Sequence, residues 1–209
     1  SKEDRERRGQ IGAYVRRLLR WPFRGVDTET TGLEDDAEIV SLAVIDQDGR
    51  VLIDTLIRPE REIPDEATAI HGITNKDVAT APRFRDVYPA LSQALDARRW
   101  VGYSVGFDMA RLGYECYREK LPVIHPPYSR WRFDEFESLD MVDVMLLFAE
   151  WYGENHAYYG DYTWQRLTTA ARVTGQWHFD LESDIRRAHG ALADAEMTLR
   201  VMKGMARYE

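Results

Sequence analysis

Two β-rich apolar runs near the start of the chain constrain the fold most strongly. Residues 39–45 and 51–57 consist mainly of Ile, Val, Leu and Ala, and the intervening segment from Asp46 to Arg50 contains a glycine. Runs of this kind around a glycine-containing turn are typical of a β-hairpin. Together with the apolar residues before Asp27 they predict three sequential antiparallel strands, because consecutive strands usually pair. We expect the residues around Asp27 to lie at one edge of this sheet.

Helical and strand patterns alternate along the rest of the chain. Apolar residues recur at helical spacing in residues 84–95, from residue 144, in residues 164–173 and in about 187–208. Residues 100–104 and 138–143 are interpreted as short strands, and residues 121–137, which lack periodicity, as a loop-like insertion. This order predicts an α/β domain with a mixed sheet flanked by helices.

The first residues predict a separate amphipathic helix. Its apolar face would comprise Ile11, Tyr14, Val15, Leu18 and Leu19. We therefore divide the chain into an N-terminal helical extension, residues 1–22, and one domain, residues 23–209. Arginines beside that face would contact nucleic acid or a partner, or form the solvated side of a helix packed on the domain; the second reading is favoured.

Composition limits the classes of function. The net charge of −8, from 28 basic and 36 acidic residues, argues against a broad, sequence-independent grip on duplex nucleic acid. Nucleic acid remains a candidate substrate, because cations bound to carboxylates reverse the local field. No apolar run approaches the roughly 18 residues of a membrane span, so no membrane association and a cytoplasmic location are expected. The single cysteine, Cys116, is expected to be buried and inert.

Acidic residues mark the ends of two predicted elements. Asp27 and Glu29 are two positions apart, and the period of a strand places such a pair on one face, where both could bind one cation. Asp108 opens a predicted helix. Each has a simpler explanation when taken alone: an acidic pair suits a strand end before a polar turn, and an Asp in a first helical turn caps the helix or complements its dipole.

Four motifs, in order, resemble those of the DEDDh class of 3′-5′ exonucleases, the family of the DnaQ-like proofreading subunits. They are D-T-E-T-T-G-L at residues 27–33, I-H-G-I-T at 70–74, F-D at 107–108 and H-G-A-L-A-D at 189–194. The resemblance covers roughly residues 23–205. It implies a ribonuclease H-like fold with a mixed five-stranded sheet and flanking helices.

The resemblance also implies the chemistry: metal-dependent hydrolysis of phosphodiester bonds at 3′ ends, releasing nucleoside 5′-monophosphates. Two divalent cations, Mg²⁺ or Mn²⁺, would be held by Asp27, Glu29, Asp108 and Asp194, with Asp27 bridging both ions and Asp108 serving the second. Such an ion pair, about 4 Å apart, supplies charge neutralisation, a nucleophile and leaving-group stabilisation, and carboxylates suit these ions. His189 would be the general base, since imidazole titrates near neutral pH.

Substrate contacts follow from the same resemblance. Thr30 would hold the terminal 3′-hydroxyl and Leu33 would pack on the terminal base, while His71 would lie near the nucleotide pocket; ordinary packing is the alternative for Leu33 and His71. Many family members have His-Asn before the second acid, whereas this chain has Tyr103-Ser104. Ser104 would substitute through its hydroxyl, and it completes the substrate-binding set together with Phe107.

The expected substrates are single-stranded DNA or RNA 3′ ends, and very short oligonucleotides suit the acidic surface. The alternative is a non-catalytic nucleic-acid-binding or polymerase-associated subunit of the same fold, using the N-terminal helix and the aromatic-rich segment 126–136. The retained acids and His189 favour the enzyme. A polymerase or other protein partner stays open, as does the homodimer that occurs among relatives.

Overall fold

The protein is described from a computed structural model covering residues 1–96, 99–124, 141–156, 161–176 and 190–208. The strands in these ranges are β1 (Arg24–Thr30), β2 (Ile39–Asp46), β3 (Val51–Leu56), β4 (Trp100–Gly102) and β5 (Met141–Asp143). The helices are α1 (Lys2–Leu18), α2 (Asp65–His71), α3 (Asn75–Val78), α4 (Phe84–Ala94), α5 (Val105–Arg118), α6 (Val144–Tyr152), α7 (Leu167–Val173) and α8 (Ala191–Ala206).

The strands form one mixed sheet in the order β3-β2-β1-β4-β5. The hairpin prediction is confirmed, since β1, β2 and β3 pair antiparallel. The expectation that the Asp27 strand lies at an edge is wrong. Strand β4 pairs parallel to the free side of β1, with Gly25 opposite Val101, and this makes β1 the central strand. Both edges of β1 are therefore paired with other strands, and its side chains point toward the helices on the two faces of the sheet.

Helices cover both faces of the sheet. On one face Ala43 and Ile45 of β2 belong to a core cluster with residues of α1, α6 and α8. On the other face Val26 and Val44 belong to a cluster with residues of α4 and α5. Paired residues of antiparallel strands share a face, and Asp27 is opposite Ala43, so Asp27 is on the side of α8.

A buried ionic cluster fixes the beginning of β2 to α5. The carboxylate of Glu38 accepts hydrogen bonds from the backbone N–H groups of Glu60 and Arg61, at 2.7 and 3.1 Å. Glu115 of α5 accepts one from Ile39 N–H at 3.0 Å and pairs with Arg118 at 2.5 Å. Because these carboxylates have several partners, the end of the β1–β2 connection is anchored.

Other predictions have mixed outcomes. The N-terminal helix is confirmed and packs against α8 and α6. Trp164 precedes its predicted helix, which begins at Leu167, whereas α2 and α3 were not predicted. Most of the 121–137 insertion lies outside the described residues. Cys116 is buried, and no described helix is long and apolar enough to span a membrane.

Candidate active site

Three carboxylates meet at the α8 side of the central strand. Among the described residues, Asp27, Glu29 and Asp194 each offer a carboxylate oxygen within 4.8 Å of the others. The two-residue period of β1 places Asp27 and Glu29 on one face. Asp194 comes from the first turn of α8, which packs on this face of β1. Residues far apart in sequence thus form one compact set of oxygen donors.

Asp108 reaches the same strand from α5, on the opposite side of the sheet. Its Oδ1 accepts hydrogen bonds from the backbone N–H of Thr28 at 2.9 Å and from the Thr28 hydroxyl at 2.7 Å. Strand β4 pairs with β1 only as far as Gly25, so the N–H of Thr28 lies beyond this ladder and is available to the carboxylate. Asp108 is buried and is not one of the three carboxylates above.

The acids strongly perturb one another. Burial first, and then the charges of Asp108, Asp194 and Glu29, raise the pKa of Asp27 well above its usual value. Burial and the charges of Asp194 and Asp108 raise the pKa of Glu29 to about 8. Burial raises the pKa of Asp108 to about 7, although its hydrogen bonds to Thr28 oppose the rise. Close carboxylates resist ionising together unless a positive charge neutralises them.

This donor set fits divalent cations. Among the described residues, the converging atoms are carboxylate oxygens, the ligands that Mg²⁺ and Mn²⁺ prefer. Burial first, and then the negative charges of the neighbouring acids, raise the pKa values of Asp27 and Glu29. A bound cation would relieve this repulsion.

The end of β1 is shaped by a β-bulge and by His71. The pairing of β1 with β2 shifts between Glu29, opposite Ser41, and Thr30, opposite Ile39. Bulges change the direction of side chains and are common beside active sites. The Thr30 hydroxyl donates to the carbonyl of Gly32 at 2.6 Å, and Nε2 of His71 lies 3.2 Å from the Thr30 carbonyl.

The ring of His71 is engaged on both sides. Its Nδ1 accepts a hydrogen bond from Ile73 N–H at 3.0 Å, so Nε2 carries the proton and donates to Thr30. His71 is buried and contacts Thr30, the last residue of the strand that supplies Asp27 and Glu29. Its contacts in this structure position the strand end.

Three further candidates lie within four residues of an acid in the sequence. Leu33 is 80% exposed in the β1–β2 connection. Ser104 directly precedes α5 and has a left-handed backbone, with φ of 68°. Phe107 is partly exposed, one residue before Asp108. His189 lies outside the described residues, immediately before Gly190, the N-cap of α8.

Two residues that orient Asp108 were not predicted from the sequence. One is Thr28, whose hydrogen bonds depend on tertiary contact and leave no local signal. The other is Asp143, whose Oδ1 accepts from Ser104 N–H at 3.1 Å and Met145 N–H at 2.9 Å. It therefore joins the start of α5 to that of α6. An Asp directly before an apolar helical run is an N-cap signal, which would have identified its role in α6.

Comparison with known proteins agrees with this geometry. The model of the exonuclease family (RNase_T) matches residues 25–202. The chain belongs to the DnaQ-like exonuclease family. An uncharacterised exonuclease of Escherichia phage 186, CP81, is 37% identical to this exonuclease domain over 182 residues, 87% of each chain.

Other relatives match over a smaller part of their length. Exodeoxyribonuclease 10 of Escherichia coli K12 is 39% identical over 89 residues, which are 41% of this exonuclease domain and 38% of that protein. DNA polymerase III subunit epsilon of Treponema pallidum is 31% identical over 110 residues, 49% of this chain and 50% of that protein. The shared segments span half or less of these two proteins.

Solved structures share the fold. Exonuclease X in complex with 5′ overhanging duplex DNA has a TM-score of 0.56 at 24% identity, over 88% of this chain and 90% of that chain. E. coli Exonuclease I with a dT13 oligonucleotide has a TM-score of 0.65 at 19% identity, over 90% of this chain and 41% of that chain. The exonuclease domain thus has the ribonuclease H-like fold that its motifs predicted.

Proposed function

We propose that this exonuclease-family protein is a metal-dependent 3′-5′ exonuclease that releases nucleoside 5′-monophosphates from nucleic-acid 3′ ends. The observation that carries the proposal is the convergence of Asp27, Glu29 and Asp194, with Asp108 anchored on the intervening residue of the same strand. A site made only of carboxylates would repel a phosphodiester. Its chemistry is therefore consistent with cation-dependent attack on phosphate.

Each acid has a role in this proposal. Asp27, Glu29 and Asp194 would hold one cation, and Asp108 would serve a second together with Asp27. When bound, Mg²⁺ or Mn²⁺ supplies charge neutralisation at the phosphate and lowers the pKa of water. The protein contributes the fixed placement of the acids, because β1 is central and helices cover both its faces. Thr28, which donates to Asp108, and Asp143, which accepts from Ser104 at the start of α5, fix the position of Asp108 relative to this strand.

His189 is proposed as the general base. It would accept a proton from the attacking water at near-neutral pH. His189→Ala should retain Mn²⁺ binding, measured by calorimetry, while its turnover with a single-stranded oligonucleotide falls at least about a hundredfold, the low end of general-base contributions. Near-normal turnover of this variant at pH 7 would exclude the assignment.

Thr30, Leu33, Ser104 and Phe107 are proposed to bind the terminal nucleotide, and His71 is proposed to lie near that pocket and to position Thr30. Leu33 supports this assignment best, because a highly exposed leucine beside an acidic site offers apolar packing to a base of any sequence. Two solved structures of similar fold contain nucleic acid: Exonuclease X with 5′ overhanging duplex DNA, and E. coli Exonuclease I with a dT13 oligonucleotide. They support a nucleic-acid strand as ligand. The similarity to a DNA polymerase III epsilon subunit gives weaker support to a polymerase partner.

The N-terminal extension, residues 1–22, is proposed to brace α8. Nη1 of Arg16 donates to the carbonyls of Ala206 and Tyr208, at 2.6 and 2.9 Å, at the C-terminal end of that helix. Helix ends leave carbonyl groups without partners, and an arginine is well suited to satisfy them. The extension would thereby support the helix that carries Asp194.

A degradation assay tests the function. Purified protein is incubated with 5′-end-labelled single-stranded DNA, RNA and dinucleotides, in Mg²⁺, Mn²⁺ or EDTA. A 3′-5′ exonuclease gives a ladder of progressively shorter labelled products and free nucleoside 5′-monophosphates, and EDTA abolishes both. Asp27→Asn should be inactive, whereas Asp54→Asn, at an exposed position of β3, should retain activity. Absence of metal-dependent shortening would favour the non-catalytic binding subunit.

A further inference from the structure

Arg111 is a buried arginine that the proposed chemistry does not use. It lies on α5 one turn after Phe107 and Asp108, and only 4% of it is exposed. Arginines are almost never so completely buried unless paired. The groups that contact the guanidinium of Arg111 therefore indicate its role.

The guanidinium of Arg111 joins two segments beside the acids. Its Nη1 donates to the carbonyl oxygen of Glu34, the residue that follows the exposed Leu33. Its Cζ lies 5.3 Å from the ring centroid of Phe107. Asp35 contributes a weaker contact, 3.8 Å from Nη2, because its side chain is fully exposed. One side chain thus contacts both Phe107 and residues 34 and 35, which follow Leu33; residues 33–36 are called the Leu33 segment.

The burial of Arg111 is imperfectly compensated. Its Nε is buried and has no hydrogen-bond partner among the described residues. A buried donor without an acceptor lowers stability. A buried charged interaction is weak evidence for stability, because replacing a buried ion pair by apolar residues of similar volume is often neutral or stabilising. Stability alone therefore does not account for an arginine at this position.

Among the described residues, Arg111 supplies the hydrogen bond from α5 to the middle of the β1–β2 connection, residues 33–36. Within the connection, Ala37 N–H donates to the Glu34 carbonyl at 3.0 Å, and Thr31 N–H donates to the Glu38 carbonyl at 2.9 Å. Glu38 itself is fixed by the backbone of residues 60 and 61, independently of Arg111. Loss of Arg111 should loosen the middle of the connection while both of its ends stay anchored.

We infer that Arg111 is a positioning residue for substrate recognition, which holds Leu33 and Phe107 together as an apolar contact for the unpaired base at the 3′ end. The inference rests on the proposed function and deepens it. Arg111 acts through these two side chains and touches neither the acids nor the scissile phosphate. Its loss should weaken binding of the strand and leave the chemical step intact.

Kinetics of Arg111→Met provide the first test. With a single-stranded oligonucleotide we expect KM to rise about tenfold, the lower part of the range for loss of one base contact, and kcat to change less than about twofold. In a Leu33→Ala background the same substitution should raise KM by a smaller factor than in the wild type, because coupled residues give non-additive effects and only the part that acts through Phe107 is left. Arg85→Met, which removes the pair of an exposed arginine with Glu119 while Glu119 keeps its pair with Arg118, is the matched control and should leave both constants unchanged. Additive effects, or a fall in kcat with constant KM, would refute the inference.

Two measurements do not depend on turnover. Hydrogen exchange of the amides in residues 31–38 should be faster in Arg111→Met than in wild type, while exchange in β2 stays the same. Fluorescence anisotropy with a labelled single-stranded oligonucleotide and Ca²⁺ should show the corresponding loss of affinity. Unchanged exchange and affinity would overturn the role of Arg111 even if the wild type is an active exonuclease. If the wild type fails to shorten 3′ ends, the proposed function fails, and these two comparisons still decide the role of Arg111.

Discussion

The carboxylate of Asp108 receives both polar hydrogens that Thr28 can offer. The backbone N–H donates at 2.9 Å and the hydroxyl at 2.7 Å, to the same oxygen. Thr28 separates Asp27 from Glu29, so the strand that supplies two of the four acids also holds Asp108. The position of α5 relative to the acidic pair therefore depends on a residue that is itself not an acid.

Thr28→Val should raise the Mg²⁺ concentration that activity requires without disrupting the fold. The substitution keeps the shape and the backbone N–H but removes one hydrogen bond to a carboxylate, worth about 1.5–3 kcal/mol. We expect the Mg²⁺ concentration for half-maximal activity to rise about tenfold, the lower end of the cost of losing a partner of a metal ligand. Activity measured against Mg²⁺ concentration checks this.

Thr55→Val is a suitable control for that comparison. The Thr55 hydroxyl donates to the Leu56 carbonyl at 3.0 Å in β3, remote from the acids. This variant should show the wild-type Mg²⁺ dependence. Equal Mg²⁺ curves for Thr28→Val and wild type would show that Asp108 does not need the hydroxyl.

The cation-free protein should lose stability as pH rises from about 5 to 8. Burial and the neighbouring acids raise the pKa of Glu29 from 4.5 to about 8. In this interval the folded state binds a proton that the unfolded state has already lost, so deprotonation disfavours the folded state. In EDTA we expect a melting temperature a few degrees lower at pH 8 than at pH 6, since about 1 kcal/mol shifts it by roughly 2–4 °C in a domain of this size.

Mg²⁺ or Mn²⁺ should reverse this trend. Cations bind the ionised acids, so the increase in melting temperature on adding either ion should be larger at pH 8 than at pH 6. Matched NaCl controls separate site binding from screening. Glu29→Gln should reduce both the pH dependence in EDTA and the response to the cation. A cation response that is independent of pH and unaffected by Glu29→Gln would contradict the assignment.

Asp143→Asn should reduce activity more than it reduces stability. The amide retains an acceptor oxygen for Ser104 and Met145 N–H, but it loses the charge that strengthens both bonds and favours a helix N-terminus. We expect a loss of stability of at most about 1 kcal/mol, because Asn and Asp are about equally good N-caps and only the interaction of the charge with the helix N-terminus is lost. Activity should fall about tenfold because Asp108 is carried by the helix that Ser104 begins.

Thermal unfolding and single-turnover rates separate these effects. Asp77→Asn changes the exposed capping box of α3 and is the control, with a comparable loss of stability and no loss of rate. If both variants lost activity in proportion to stability, Asp143 would have only a structural role.

Local patterns were sufficient to predict most of the fold. The hairpin and helices α1, α4, α5 and α8 follow from the spacing of their apolar residues. The central position of β1 did not follow, because its pairing with β4 joins residues about 75 positions apart. Helices of seven and four residues, such as α2 and α3, have too few turns for a clear period.

The acids were recognised by motif, whereas the residues that position other parts of the site were not. Asp27 and Glu29 share a face for a reason visible in the sequence, the two-residue strand period. Thr28, Arg111 and Asp143 work through partners that only the folded chain brings close. Sequence spacing carries no information about these partners.

Glycine substitution at the two ends of α5 tests the role of Ser104. Ser104 and Lys120 are the non-glycine residues with positive φ in the described chain, at 68° and 55°. A left-handed backbone costs such residues on the order of 1 kcal/mol, and glycine adopts it freely. Ser104→Gly and Lys120→Gly should each stabilise the protein by about 0.5 kcal/mol, after the entropic cost of glycine is subtracted.

Only Ser104→Gly should affect the reaction, because its hydroxyl is proposed to contact substrate. Its backbone N–H, which Asp143 accepts at 3.1 Å, is retained, so Asp108 should stay in place. We expect a KM increase of roughly tenfold at most, since one neutral hydrogen bond is worth about 0.5–1.5 kcal/mol, and an unchanged Mg²⁺ dependence. Ser104→Asn, which restores the amide common in the family and tolerates positive φ, should keep the stability gain. If Ser104→Gly and Ser104→Asn had the same KM as Lys120→Gly and the wild type, the hydroxyl of Ser104 would have no part in substrate binding.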